Sequence, residues 1–121
     1  MKKVLIISQF LLVILFSPFN YAATGLGKVE EIKSCGSGDP DPGWMNYIFF
    51  KLSDDKWFGI FANHTSAGYD SNFNHSILLT AFSMNLDVEV NATYNTRTSC
   101  GVTANMLWNK STDYLKITQP N

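Results

Sequence analysis

Hydrophobic and polar residues follow one another in short runs along most of the chain, and these runs predict β-strands. Five of them share β-branched or aromatic residues with flanking turn residues: 26–35, 44–52, 57–62, 102–108 and 113–118. The second and third are joined by SDDK, which predicts a four-residue hairpin connection. Gly59 inside the third strand predicts a bulge or a close approach of another chain segment.

The stretch NHSILLTAFSMNLDVEV, residues 74–90, changes its period in the middle. Residues 76–84 have the apolar spacing of a helix, which Asn74 or Ser76 can cap and which Asn85 can end in the left-handed conformation. After Asn85, apolar and polar residues alternate over residues 86–92, as in a strand with one solvated face. The stretch therefore predicts a short helix that runs into a strand.

The predicted helix has an unusually wide apolar surface. Its apolar residues cover an arc of about 220°, and only a narrow strip of Ser76, Thr80 and Ser83 is polar. Two explanations remain open at this point. The helix is either sunk within the domain or shared with a neighbouring subunit.

The order of elements is three strands, a helix and two further strands, with a sixth strand as an option. This order predicts a β-rich fold, all-β or α+β, namely a small five- to six-stranded barrel like the oligonucleotide/oligosaccharide-binding (OB) fold. The helix is inserted between strands 3 and 4 of that fold. The competing interpretation is a cystatin-like or other α+β sheet.

The N-terminal residues have the pattern of a secretory signal peptide. Lys2 and Lys3 precede an apolar run over residues 4–16, and small residues follow up to Ala22. The apolar run is too short for a comfortable membrane span, although an uncleaved anchor is the alternative. We therefore expect residues 1–22 to be removed and residues 23–121 to form one domain, secreted or periplasmic.

Charge and cysteine content narrow the function classes. Of nine basic residues two lie in the leader, so the exported chain has seven basic against ten acidic side chains, which argues against nucleic acid binding. Export favours a disulfide between its two cysteines, Cys35 and Cys100. Two cysteines at that separation with His64 and His75 match no zinc-ligand spacing, so no metal or other cofactor is expected.

Three segments carry a resemblance to a known family: TGLGKVEEIK at 24–33, FAN at 61–63 and SILLTAFSMNLDVEVNAT at 76–93. They resemble segments of the B subunits of bacterial A–B toxins with five B subunits, most closely those of the Shiga toxin B subunit type. The resemblance implies an OB-type barrel in a ring of five subunits whose helices line the centre. Leu79 and Met84 are the candidate contacts with the neighbouring subunit.

The resemblance also implies a secreted, non-enzymatic lectin that binds cell-surface glycans and delivers a toxic A subunit. Asn63 matches the first residue of the family's Asn-Arg-Trp glycan-contacting run and is followed here by His64 and Thr65.

Glycan recognition needs an aromatic face beside amide and carboxylate groups. Trp44 follows a loop that Pro40 and Pro42 stiffen and that turns at Gly43, so it is the leading candidate for a stacking face. The alternative is that Trp44 and the nearby Tyr47 are ordinary core residues. The predicted glycan site comprises Asp39, Asp41, Trp44, Asn46, Asn63 and His64.

An enzyme is not expected, because the chain contains no nucleophile motif such as G-x-S-x-G. Asp54 and Asp55 are adjacent in the predicted hairpin turn, which is turn chemistry rather than an acid/base pair. The alternative function is a periplasmic or secreted protein-interaction module, such as an inhibitor or an immunity protein.

Overall fold

The computed structural model describes residues 23–62, 65–66, 69–109 and 111–118. The predicted signal peptide, residues 1–22, lies outside them. The elements follow one another in this order: β1 (Ala23–Gly36), β2 (Asn46–Leu52), β3 (Trp57–Ala62), β4 (Thr65–Ser66), β5 (Tyr69–Asp70), α1 (Ser71–Met84), β6 (Asp87–Ala92), β7 (Thr96–Ser99), β8 (Val102–Leu107) and β9 (Tyr114–Thr118).

Seven of these strands form one mixed sheet in the order β7-β8-β3-β2-β1-β6-β9, and β4 and β5 form a small hairpin of their own. The long β1 has two partners: residues 23–28 pair with β6 and residues 29–36 pair with β2, with an irregularity between Val29 and Glu31. The contact between β3 and β8 is parallel, and the other pairings are antiparallel. The predicted β-rich class and the single helix are confirmed for the described residues.

The predicted closure into a barrel is wrong. Within the part of the chain that the structure describes, β7 and β9 are the two edges of the sheet and do not pair with each other. A barrel needs a ladder of hydrogen bonds around its full circumference. Strand β7 has four residues and pairs only with β8, and strand β9 has five residues and pairs only with β6. Such short strands provide few hydrogen bonds for closing a barrel.

The helix α1 begins at Ser71, five residues before the predicted start. Ser76, a predicted cap, lies inside it and donates a hydrogen bond to the carbonyl oxygen of Asn72 at 2.9 Å. The predicted end is confirmed, because Asn85 has a φ of 55°. The amide of Leu86 donates to the carbonyl oxygen of Ala81, and Lys28 Nζ donates to that of Asn85, so carbonyl groups at the helix end are bonded.

Only one flank of α1 enters the core. Leu78 and Ala81 are fully buried with the inward residues of β6, whereas Leu79, Phe82 and Met84 are 44 %, 46 % and 65 % exposed. The chain alone therefore leaves part of the wide apolar arc in solvent, and the interpretation that the helix is sunk within the domain is wrong. No helix in the described ranges is long and apolar enough to span a membrane.

The β2–β3 hairpin is apolar on both faces. Ile48, Phe50, Phe58 and Ile60 lie on one face, and the other face carries Tyr47, Phe49 and Phe61, whose rings contact one another. Gly59 allows a close approach, because a Cβ there would lie 2.5 Å from Met106 Sδ and 2.8 Å from the Phe49 ring. The close approach predicted at Gly59 is thus confirmed.

The predicted disulfide between Cys35 and Cys100 is present. It joins the end of β1 to the turn between β7 and β8, two positions separated by 65 residues. Ser99 Oγ donates a hydrogen bond to the carbonyl oxygen of Gly36 at 2.6 Å beside it. The disulfide and this hydrogen bond together hold the edge hairpin to the centre of the sheet.

Candidate functional site

A cavity of about 210 Å³ lies between the start of α1 and the β2–β3 hairpin, and we call it the α1 pocket. Its floor is aliphatic, and its rim carries a hydroxyl, two amides and an imidazole. The lining residues are Ser34, Asn46, Ile48, Ile60, Ala62, Asn72 and His75.

Strand register brings the sheet residues of the α1 pocket together. Ser34 pairs with Ile48, which pairs with Ile60, so these side chains share one face of three adjacent strands. Asn46 pairs with Ala62 at the open end of the hairpin. Asn46 lies two residues before Ile48 on the same face of β2, so its amide borders the aliphatic floor.

The helix contributes the opposite wall. Asn72 and His75 are three positions apart in α1, so they lie on the same side of the helix one turn apart. Amides offer both donors and acceptors, and a neutral imidazole offers one of each. This combination suits a ligand whose hydroxyl groups donate and accept while its C–H surface rests on isoleucine side chains.

Asp41, a predicted glycan ligand, is turned into the protein instead. Its carboxylate forms an ion pair with Arg97, with Nε–Oδ2 at 2.7 Å and Nη2–Oδ1 at 3.3 Å, and accepts a hydrogen bond from the Tyr47 hydroxyl at 2.5 Å. The side chains of Asp41 and Arg97 are 15 % and 9 % exposed. In the structure this carboxylate anchors the loop before β2, and its contact with a sugar stays a prediction.

Arg97 is held by aromatic rings as well as by Asp41. Its guanidinium carbon lies 5.6 Å from the Phe61 ring centre and 5.3 Å from that of Tyr94. The hydrogen bond to Asp41 raises the pKa of Arg97 further above its ordinary value. Burial and the hydrogen bond to Asp41 raise the pKa of Tyr47 to about 12. Arg97 therefore stays charged and Tyr47 stays protonated at neutral pH.

A smaller cavity of about 90 Å³ opens beside this ion pair, between Met45 and the rings of Phe61, Tyr94 and Trp108. The Phe61 and Trp108 rings meet edge to face, with centres 5.2 Å apart. The cavity is less than half the volume of the α1 pocket, so we regard it as part of the packing around Arg97.

Of the six residues predicted as a glycan site, the four that the structure describes do not line one cavity. Asn46 lines the α1 pocket, Asp41 faces Arg97, and Asp39 is exposed in the loop before β2. Trp44 is 65 % exposed, which excludes the core interpretation for this residue, whereas Tyr47 is core. Asn63 and His64 lie outside the described residues.

Sequence reasoning missed Ser34, Asn72 and His75. Asn72 and His75 precede residue 76, where the predicted helix starts, and their common helical face is visible only when the helix starts at Ser71. Ser34 enters the pocket through its pairing with Ile48, which depends on the register of β1 and β2. Across the described ranges, no group of three or more His, Cys, Asp or Glu side chains could hold a metal ion.

Comparison with protein-family models, with curated proteins and with solved structures finds no match for this chain.

Proposed function

We propose that the protein is a secreted, non-enzymatic glycan-binding B subunit of a bacterial toxin, which delivers a partner subunit to host cells. The observation that carries this proposal is the α1 pocket. A volume of about 210 Å³ accommodates one sugar residue, and Ser34, Asn46, Asn72 and His75 surround a floor formed by Ile48 and Ile60. Amides and hydroxyls that ring an aliphatic floor match a sugar's hydroxyl edge and its C–H face.

The exposed flank of α1 supports self-association, which we propose gives a closed ring of five subunits. Leu79, Phe82 and Met84 expose apolar surface on one side of a helix whose other side is in the core. The family resemblance accounts for this arrangement, since it places the helices of five subunits around a common centre. In such a ring the flank is covered by the neighbouring subunit.

A ring of five subunits would also explain how a small pocket in each subunit gives sufficient affinity for a cell surface. A pocket of this size offers a few hydrogen bonds, so a single site is expected to bind at about millimolar Kd, or about 4 kcal/mol. Five copies that engage one cell surface raise the apparent affinity by about two to four orders of magnitude. The disulfide and the predicted signal peptide agree with a protein that acts outside the cytoplasm.

A protein-interaction module is the second candidate function. The observation that favours it is the same exposed apolar flank of α1, because an inhibitor or immunity protein could use it to cover another protein. In that case the binding partner is a protein surface, and removal of glycans has no effect on binding.

Binding of the labelled exported protein to cultured mammalian cells tests the proposal. Asn46→Ala and His75→Ala are expected to lower cell binding at least tenfold, because each removes polar groups from the α1 pocket. Asn95→Ala is the matched control, since Asn95 is an exposed asparagine in the link between β6 and β7. Enzymatic removal of surface glycans is expected to abolish binding of the unaltered protein.

Unchanged binding to deglycosylated cells would favour the protein-interaction module. Trp44→Ala tests whether the loop before β2 takes part in binding together with the α1 pocket. Because Trp44 is largely exposed, this substitution should leave the melting temperature nearly unchanged, and lower cell binding would place the loop next to the bound glycan.

A further inference from the structure

A second groove, of about 290 Å³, lies at the other end of the β2–β3 hairpin. Here the turn of the hairpin meets the outer face of the strands β1, β6 and β9, and we call this cavity the hairpin groove. We propose that the hairpin groove is a second carbohydrate subsite, which takes a neutral hexose. This inference depends on the proposed glycan-binding function and adds a site to it.

Strand pairing gathers the side chains of the hairpin groove. Leu26 of β1 pairs with Glu89 of β6, and Thr24 pairs with Asn91, which in turn pairs with Tyr114 of β9. Residues that pair across strands, and residues two apart along a strand, share a face. Thr24, Leu26, Glu89 and Tyr114 therefore lie together on the face opposite the buried Val88, Val90 and Leu115.

The hairpin turn is fixed against β1 by its own side chains. Asp54 Oδ2 accepts a hydrogen bond from the Leu26 amide at 3.2 Å, and Lys56 Nζ donates to the carbonyl oxygen of Thr24 at 2.8 Å. Asp54 Oδ1 also accepts from the Lys56 amide at 3.1 Å. The wall that the turn contributes is thus in place before any ligand binds, which reduces the entropy lost on binding.

Tyr114 gives the groove an aromatic surface in a fixed orientation. Its hydroxyl donates to Glu89 Oε2 at 2.8 Å, and the same oxygen lies 3.3 Å from Lys116 Nζ. These two contacts lower the pKa of Glu89, so its carboxylate is ionised at neutral pH. Tyr114 remains 41 % exposed, and Leu26 beside it on the same face is 60 % exposed. An aromatic ring and an aliphatic side chain on one open face suit the C–H surface of a sugar ring.

Polar groups with remaining bonding capacity surround this apolar surface. Lys56 Nζ has one acceptor among the described residues, and an ammonium has three donors, so two remain for a ligand. Glu89 Oε1 and the Thr24 hydroxyl have no hydrogen-bond partner within the described ranges. One hydroxyl of a hexose can donate a hydrogen bond to Glu89, and the neighbouring hydroxyl on the same ring can accept one from Lys56.

The charges around the groove select a neutral sugar. Asp54 and Glu89 are balanced by Lys56 and Lys116, so neither sign dominates. A sugar carboxylate that approached Lys56 would also approach Asp54 and Glu89, and the repulsion would offset the attraction. A neutral hexose meets no such opposition.

The hairpin groove is separate from the α1 pocket. Asn46 and Ala62 pair at the α1 pocket, and Lys51 and Trp57 pair beside the turn, five residues along each strand. Five residues of strand span about 17 Å. One sugar residue cannot occupy both cavities, so each subunit is expected to contact two sugars.

Nuclear magnetic resonance of the ¹⁵N-labelled exported protein tests this inference. The probes are methyl β-galactoside, methyl α-glucoside and methyl α-mannoside, with N-acetylneuraminic acid as the anionic comparison. At least one of the three hexosides is expected to shift the amide signals of Leu26, Lys56 and Glu89 at millimolar concentration, and N-acetylneuraminic acid is not. Tyr114→Ala should weaken the hexoside's binding at this groove at least tenfold.

Two further variants serve as controls: one tests whether the Tyr114 ring is sufficient for binding, and the other tests whether the two cavities act independently. Tyr114→Phe keeps the ring and loses the hydroxyl, so it should retain binding within about threefold, since the hydroxyl is already bonded to Glu89. His75→Ala alters the α1 pocket and should leave the signals of the hairpin groove unchanged.

The outcomes distinguish the two proposals. Shifts confined to residues of the α1 pocket would overturn the second subsite and leave the proposed function standing. Shifts at the hairpin groove alone would support the subsite and remove the α1 pocket as the glycan site. No shift in either cavity with any of the three hexosides would overturn the subsite, and equal shifts with N-acetylneuraminic acid would overturn its selectivity for neutral sugars.

Discussion

Replacement of Arg97 by methionine is expected to be one of the most destabilising single changes outside the apolar core. The substitution removes both contacts between Arg97 and the Asp41 carboxylate, which is 15 % exposed in the unaltered protein. Loss of one partner of a buried ion pair costs about 3–5 kcal/mol. The guanidinium also rests on the rings of Phe61 and Tyr94, and methionine can keep part of this apolar contact.

We therefore expect Arg97→Met to lower the free energy of unfolding by about 4 kcal/mol, out of the roughly 5–15 kcal/mol that holds a domain of this size. Asp41→Asn should cost less, about 2–3 kcal/mol, because Arg97 keeps its aromatic contacts and an amide oxygen can still accept a hydrogen bond. In the double variant both charges of the ion pair are absent. Its cost should be smaller than the sum of the two single costs by at least about 1.5 kcal/mol.

Urea unfolding followed by tryptophan fluorescence at neutral pH measures all four proteins of this cycle. The slope of the free energy against urea should stay the same, so that differences in the midpoint report stability. The reasoning would be refuted if Arg97→Met cost less than about 1 kcal/mol, or if the two substitutions were additive within about 0.5 kcal/mol.

Three further predictions concern assembly, the disulfide and pH. Leu79→Asp and Met84→Asp should each convert the oligomer into a monomer, measured by light scattering, and should retain the β-type circular dichroism. An unaltered protein that is already monomeric at micromolar concentration would contradict the ring. Replacement of Cys35 and Cys100 by alanine should lower the free energy of unfolding by about 4 kcal/mol in chemical denaturation, because the bond closes a loop of 65 residues. The Tyr47 pKa of about 12 lies above its ordinary value of 10.0, so the unfolded chain loses that proton first. Stability should be retained below pH 10 and fall as pH rises towards 12, and Tyr47→Phe should remove the part of this dependence that Tyr47 contributes in alkaline melting curves.

The elements that sequence reasoning predicted correctly are those with a strong local cause. The β2–β3 hairpin follows from two aromatic-rich runs around SDDK, and β6 follows from the alternation after Asn85. The elements that it missed depend on distant partners. Strand β7, TRTS, has no apolar alternation, and it is held by its pairing with β8 and by the ion pair of Arg97. The first turn of α1, SNFN, has residues that favour caps and turns when considered alone.

The candidate site was predictable only in part for the same reason. Asn46 was predicted from its place beside a turn-rich loop, and it lines the α1 pocket. The ion pair of Asp41 with Arg97 was not predicted, because the two residues are 56 positions apart and no local pattern connects them. His75 precedes the predicted start of the helix, and only the register of three strands and the early start of α1 bring it opposite Asn46.

The central claim is that the α1 pocket binds glycans, and a glycan array probed with the purified exported protein tests it most directly. We expect the unaltered protein to bind a restricted set of glycans, and we expect His75→Ala and Asn46→Ala to lose this binding and Asn95→Ala to keep it. A folded protein that binds no glycan on the array, or whose binding survives both pocket substitutions, would contradict it.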